Sequence, residues 1–139
     1  MNNYKYNEIK VGMSFNFKSI ITNEKMDSFL MISGDNNPLH CDSAYAKANG
    51  MQDRVVYGLL SSSFYSTLVG VYIPGKYAIL HSVDIQFSKP VYIGDQLTVV
   101  GEVVRKHDLF NQIEIKAYIQ NQNNERVSRA KIKAGLING

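Results

Sequence analysis

The stretch "SGDNNPLH" at Ser33–His40 places a carboxylate, Asp35, five residues ahead of an imidazole, His40. These are the side chains that most often take and return protons near neutral pH, so the pair is a candidate for general acid–base work. Residues five apart do not share a helix face, and the two can converge only if the chain turns between them. Asn37 stands before Pro38, which drives it into an extended conformation and ends any preceding helix. The same residues are also ordinary turn chemistry after a helix C-terminus, so the stretch taken alone leaves both readings open.

Other reactive side chains are less suggestive. Cys41 follows His40 directly, but adjacent side chains point apart, and it reads as a small filler thiol. As the only cysteine it cannot form an intramolecular disulfide. His81 falls with Ile79, Val83 and Ile85 on an apolar face and reads as a packed, hydrogen-bonded histidine. His107, beside Asp108 in a hairpin loop, reads as solvated. Three histidines without ligand spacing or a cysteine partner give no reason to expect a metal. Tyr4, Tyr6 and the aromatics near residue 65 read as core or dimer contacts rather than as a platform for bases.

The elements that must position Asp35 and His40 follow from periodicity. Ser14–Ile21 alternates as a strand. Thr22 is a candidate N-cap for a short helix through Met26, Phe29 and Leu30, which Gly34 should stop. A further short helix is expected over "SAYAKA". Tyr57–Ile73 carries Leu60, Phe64 and Leu68 at i, i+4 and i+8, and reads as a buried helix ending before Pro74–Gly75. After that the period changes to two, and Tyr77–Phe87, Gln96–His107, Asn111–Gln120 and Glu125–Ile137 read as long strands joined by short turns. Long consecutive strands imply an antiparallel sheet, whose apolar face must cover something. The apolar helix is the economical choice.

At 139 residues, with 45% hydrophobic and 19% charged side chains, the chain is expected to form a single domain over 1–139. A net charge of +3 favours an anionic ligand but is too small to argue for nucleic acid. No apolar run approaches the length of a membrane span, and no leader-like segment opens the sequence, so the expectation is a cytoplasmic protein with no membrane partner.

Three segments, "SGDNNPLHCDSAYA", "VVYGLLSSSFYSTLVGVYIPG" and "IQFSKPVYIGDQL", resemble the MaoC-like and (R)-specific enoyl-CoA hydratase family in order and spacing. The resemblance implies an α+β hot-dog fold, a long antiparallel β-sheet wrapped around a central α-helix, in a homodimer. It implies hydration of a trans-2-enoyl thioester to an (R)-3-hydroxyacyl thioester, or the reverse, on coenzyme A or an acyl carrier protein. Coenzyme A or phosphopantetheine would enter only as part of the substrate, with no other cofactor. Asp35 and His40 match the family's catalytic pair, with Asn37 inside the motif. Gly58 matches the glycine whose amide receives the thioester oxygen, and Ser66 a serine supporting the carboxylate. Tyr57 stands where the family commonly has histidine, and is expected to reshape the pocket wall while leaving the Gly58 amide in place.

Such chemistry needs a base for water, an acid for Cα and a donor for the enolate oxygen, and a helix N-terminus is well suited to the last. The competing classes are a non-catalytic acyl-thioester binding module and a hot-dog thioesterase. Arg129, Lys131 and Lys133, alternating on the last strand, read as a solvated row guarding a sheet edge. Docking of coenzyme A phosphates or an acidic carrier is the lesser reading of that row.

Overall fold

Alternation places one face of each strand against a single helix, and the computed structural model, which describes residues 1–137, shows how the two are fitted. The strands are β1 (Ser14–Ile20), β2 (Ala78–Phe87), β3 (Gln96–His107), β4 (Gln112–Gln120) and β5 (Arg126–Leu136). They form one antiparallel sheet in the order β1-β3-β4-β5-β2. The helices are α1 (Asn23–Ser33), α2 (Pro38–Cys41), α3 (Ser43–Ala48) and α4 (Gly58–Thr67). α4 continues through a wider π-type turn over Leu68–Tyr72, closed by the Ile73 amide donating to the Leu68 carbonyl at 2.9 Å.

The register explains where the central helix rests. Phe15, Gly101, Ala117, Ala130 and Ile85 lie side by side across the five strands. Three small residues in the middle of that row make a trough, and Leu68 at the end of α4 sits against Gly101. Larger rows flank it, with Val103, Ile115 and Ile132 on one side and Val99 and Ile119 on the other. All five of these side chains are buried. Tyr65, also buried, shares a hydrogen bond of 2.8 Å with Ser128 and so ties the helix to β5 through a satisfied polar contact.

Most sequence expectations coincide with these elements to within a residue or two. Thr22 caps α1 through its hydroxyl, which accepts from the Lys25 amide at 3.3 Å. Gly34 ends the helix in the left-handed region at φ 71°, a conformation glycine adopts without strain.

Three readings change. β5 lies between β4 and β2, so Arg129, Lys131 and Lys133 guard no edge; the edges of the open sheet are β1 and β2. Arg129 instead donates laterally to Gln86 at 2.7 and 3.2 Å, and Lys131 lies opposite Asp84. His81 sits in a bulge of edge strand β2 and is exposed, bonded to Gln112 at 2.8 Å. An edge strand has a neighbour on one side only, which alternation alone does not reveal. His107 is not free in solvent, since its Nε2 lies 2.8 Å from the Glu114 carboxylate on β4.

Candidate active site

Local hydrogen bonds build the turn between Asp35 and His40 one step at a time. Ser33 turns its hydroxyl back onto the Phe29 carbonyl and accepts from the Asp35 amide. Asp35 Oδ1 accepts from the Asn37 amide at 3.1 Å, and Asn37 Oδ1 accepts from the Leu39 amide at 2.9 Å. Asn37 is therefore the N-cap of α2, with Pro38 in the first helical position where a missing N–H costs nothing. Its backbone is extended, at φ −53° and ψ 129°, as the following proline requires. The short helix α2 was not expected from the sequence; it is what carries the chain around to His40.

His40 is held at two points, and Leu39 before it at a third. Its Nδ1 lies 2.7 Å from the Val55 carbonyl. A carbonyl can only accept, so Nδ1 carries a proton, and Nε2 is the nitrogen left to take or give one. Arg54 donates from Nε to the His40 carbonyl at 2.7 Å, and the Val55 amide donates to Leu39 at 3.0 Å. The segment at 54–56 is itself anchored to the chain before β3, since the Val56 amide donates to Val91 at 2.8 Å.

Tyr57 packs on the other side. Its ring stacks on His40, with centroids 4.2 Å apart and planes 30° apart, and lies 4.7 Å from Phe29 of α1. Its hydroxyl donates to the Asp35 carbonyl at 2.7 Å and lies 3.6 Å from Cys41 Sγ. Burial, then the Cys41 thiol and the Asp35 carboxylate, push the phenol up to about 12, so it remains a donor throughout any ordinary pH range. Tyr57 does not line the pocket in front of His40. It stands behind the wall, against His40.

That pocket has a volume of about 310 Å³. His40, Val55, Val56, Gly58 and Ser61 form one side, and the Phe87–Val91 segment with Val127 the other. Gly58 opens α4, where the first amides have no partner within the helix and the helix dipole is positive. A Cβ on Gly58 would come within 3.0 Å of the Phe87 ring, so glycine keeps this approach open. Ser61 donates to the Gly58 carbonyl at 2.9 Å.

The structure thus brings His40 and Gly58 to one pocket; Asp35 is not among the lining residues and lies on an exposed turn tied to Tyr57 through its backbone carbonyl. Asp35 spends Oδ1 on the Asn37 amide, and Oδ2 makes no hydrogen bond among the described residues. Ser66 is exposed further along α4, outside the lining of this pocket, and makes no hydrogen bond to Asp35 within the chain. Arg54, Val55, Ser61 and Phe87 were missed by sequence reasoning. Arg54 holds the His40 carbonyl with its side-chain Nε and Val55 holds the ring with its backbone carbonyl, and nothing in their spacing from His40 marks either role. Among the described residues no three His, Cys, Asp or Glu side chains group to hold a metal, and no helix is long and apolar enough to cross a membrane.

A five-stranded antiparallel sheet packed on one helix, with His40 and that helix's N-terminus meeting in a pocket, defines a hot-dog protein. The chain belongs to the MaoC-like domain family, whose model matches residues 6–125. It is 33% identical over 95 residues to the (R)-specific enoyl-CoA hydratase of Aeromonas caviae, covering 68% of this chain and 71% of that one. It is 30% identical over 108 residues to a mitochondrial 3-hydroxyacyl-[acyl-carrier-protein] dehydratase of Arabidopsis thaliana, a match spanning 78% of this chain and 64% of the plant protein. Among solved structures, the unliganded R-hydratase PhaJ1 of Pseudomonas aeruginosa superposes with a TM-score of 0.90 at 30% identity. That superposition covers 96% of this chain and 86% of the other.

Proposed function

We propose that this chain is an (R)-specific hydratase/dehydratase, interconverting trans-2-enoyl and (R)-3-hydroxyacyl thioesters of coenzyme A or acyl carrier protein. The observation that carries the reading is the meeting of His40 and the Gly58 helix terminus in one pocket. In the hydration direction, the Asp35 carboxylate and His40 Nε2 hold one water. As its oxygen bonds to Cβ of the enoyl group, its proton passes to one of these two groups. The π electrons move to the thioester oxygen, which accepts from the Gly58 amide, and the proton is then delivered to Cα. Water adds as H and OH with no net electron transfer, so the reaction calls for proton carriers and an oxyanion donor only.

The working unit in this proposal is a homodimer joined through edge strand β2. That strand exposes Ile79, Leu80 and Phe87 at 46, 44 and 55%, and Phe87 also lines the pocket. An uncovered edge with large apolar side chains needs a partner, and pairing here would close the pocket with a second copy.

The deciding assay follows loss of enone absorbance with crotonyl-CoA and longer trans-2-enoyl-CoAs. Stereospecific turnover to the (R)-alcohol supports the proposal. Release of free thiol without hydration would instead identify a thioesterase, and saturable binding without turnover a binding module.

A further inference from the structure

We propose that Tyr57 is a positioning residue that clamps the two proton-transfer groups to each other from behind the pocket. Three contacts converge on this one side chain. Its hydroxyl holds the Asp35 backbone at 2.7 Å, its face lies against the His40 imidazole at 4.2 Å, and Phe29 backs it at 4.7 Å. It is 3% exposed, whereas the turn from Gly34 to Pro38 is exposed throughout. The turn therefore has no packing of its own to hold it, and its other hydrogen bonds are local, joining residues two to four apart. Tyr57 is the long-range hydrogen bond that ties it to the base of α4.

The clamp also completes the restraint on His40. The bond from Nδ1 to Val55 fixes one end of the ring but leaves it free to swing about that bond. A face-on aromatic contact removes the swing and aims Nε2 into the pocket. Because Tyr57 is the residue directly before Gly58, the same element sets the oxyanion amide, the imidazole and the start of the carboxylate turn.

The kinetic part of this inference rests on the hydratase reading; the spectroscopic part does not. Tyr57→Phe removes only the hydroxyl. It should lower kcat about three- to tenfold, the range expected for loss of one hydrogen bond, with KM within about twofold, since substrate touches neither group. Tyr57→Leu also removes the ring contact. In 15N-histidine spectra the wild type should show His40 as the single tautomer protonated on Nδ1. Tyr57→Phe should keep that signature sharp, and Tyr57→Leu should keep the tautomer, which the Val55 carbonyl sets, but broaden the ring resonances as the imidazole swings about that bond. Wild-type kcat in Tyr57→Phe would overturn the hydroxyl clamp. An unchanged His40 signature in a folded Tyr57→Leu would overturn the ring contact. If the wild type turns over no enoyl thioester, the hydratase reading fails, and the spectra still decide the clamp.

Discussion

Gly101→Ala would test how the helix is seated, because the added methyl has nowhere to go. A Cβ at that position would lie 2.5 Å from Leu68 Cδ2 and 3.2 Å from its Cδ1 and Cγ, and Leu68 is fully buried. Carbon atoms in contact prefer about 3.5–4.0 Å, so the gap falls short by roughly 1 Å. Overpacking of this kind costs about 1–3 kcal/mol, offset by roughly 0.5–1 kcal/mol from the lost flexibility of glycine in the unfolded chain. The net loss should centre on about 1 kcal/mol, within roughly 0–2.5 kcal/mol. With an unfolding entropy near 2.1 cal/mol/K per residue, roughly 0.3 kcal/mol/K for this chain, Tm should fall by about 4 °C.

Leu68→Ala alone opens a cavity and should cost about 2–5 kcal/mol. The double variant should be less destabilised than the sum by at least about 1 kcal/mol, because the new methyl occupies part of that cavity. Circular dichroism melts and urea midpoints on the four proteins would measure the cycle. A Gly101→Ala protein more stable than wild type, or strictly additive losses, would refute the trough as the seat of the helix.

Asp35→Asn and His40→Ala should each lower turnover by about 10²–10⁴-fold with melting unchanged, and the double variant should cost far less than the product; steady-state kinetics would show it. Glu114 offers a pH test. The hydrogen bond from His107, with Lys133 and Arg105 nearby, holds its carboxyl below the usual range. That stabilisation is present above the ordinary glutamate value and is lost as pH falls through the lowered folded value. Glu114→Gln should thus melt a few degrees below wild type at about pH 6, and the gap should close by about pH 3, as melting curves across that range would record. Sedimentation equilibrium at micromolar concentration should give twice the chain mass, and Ile79→Lys on β2 should shift it toward the monomer.

Much of the fold was legible because local rules and tertiary packing agree. The change of period near residue 77 marks where helices give way to strands, and Thr22 and Gly34 bracket α1 by cap chemistry alone. The turn between Asp35 and His40 was readable from Asn37–Pro38, and α4 from the spacing of Leu60, Phe64 and Leu68. What stayed hidden depends on strand order. Nothing local distinguishes β5, an inner strand with a charged outer face, from an edge strand with the same pattern. His81 misled for the converse reason: its neighbours alternate as in a buried strand, while β2 lies at the edge. At the site, residue types pointed to Asp35 and His40, and the family resemblance to Gly58. The placement of Tyr57 behind His40, and the Val55 carbonyl that sets its tautomer, come from backbone paths that carry no compositional mark.

The sheet order also sets when the site can be assembled. β3, β4 and β5 are neighbours in sequence and in space, joined by short turns, so their pairing closes small loops and can form early. β1 must reach β3 across every helix of the chain, and β2 must reach β5 across two intervening strands. The segments at 35–40 and 55–58 lie inside the larger of these loops, and the pocket that His40 and Gly58 share with Val127 of β5 is complete only as the sheet closes. Folding should therefore proceed from a nucleus that contains no proton-transfer group, with the reactive end of the molecule condensing last. Substitutions in the turn or at Tyr57 would then chiefly speed unfolding while leaving the rate of folding almost untouched.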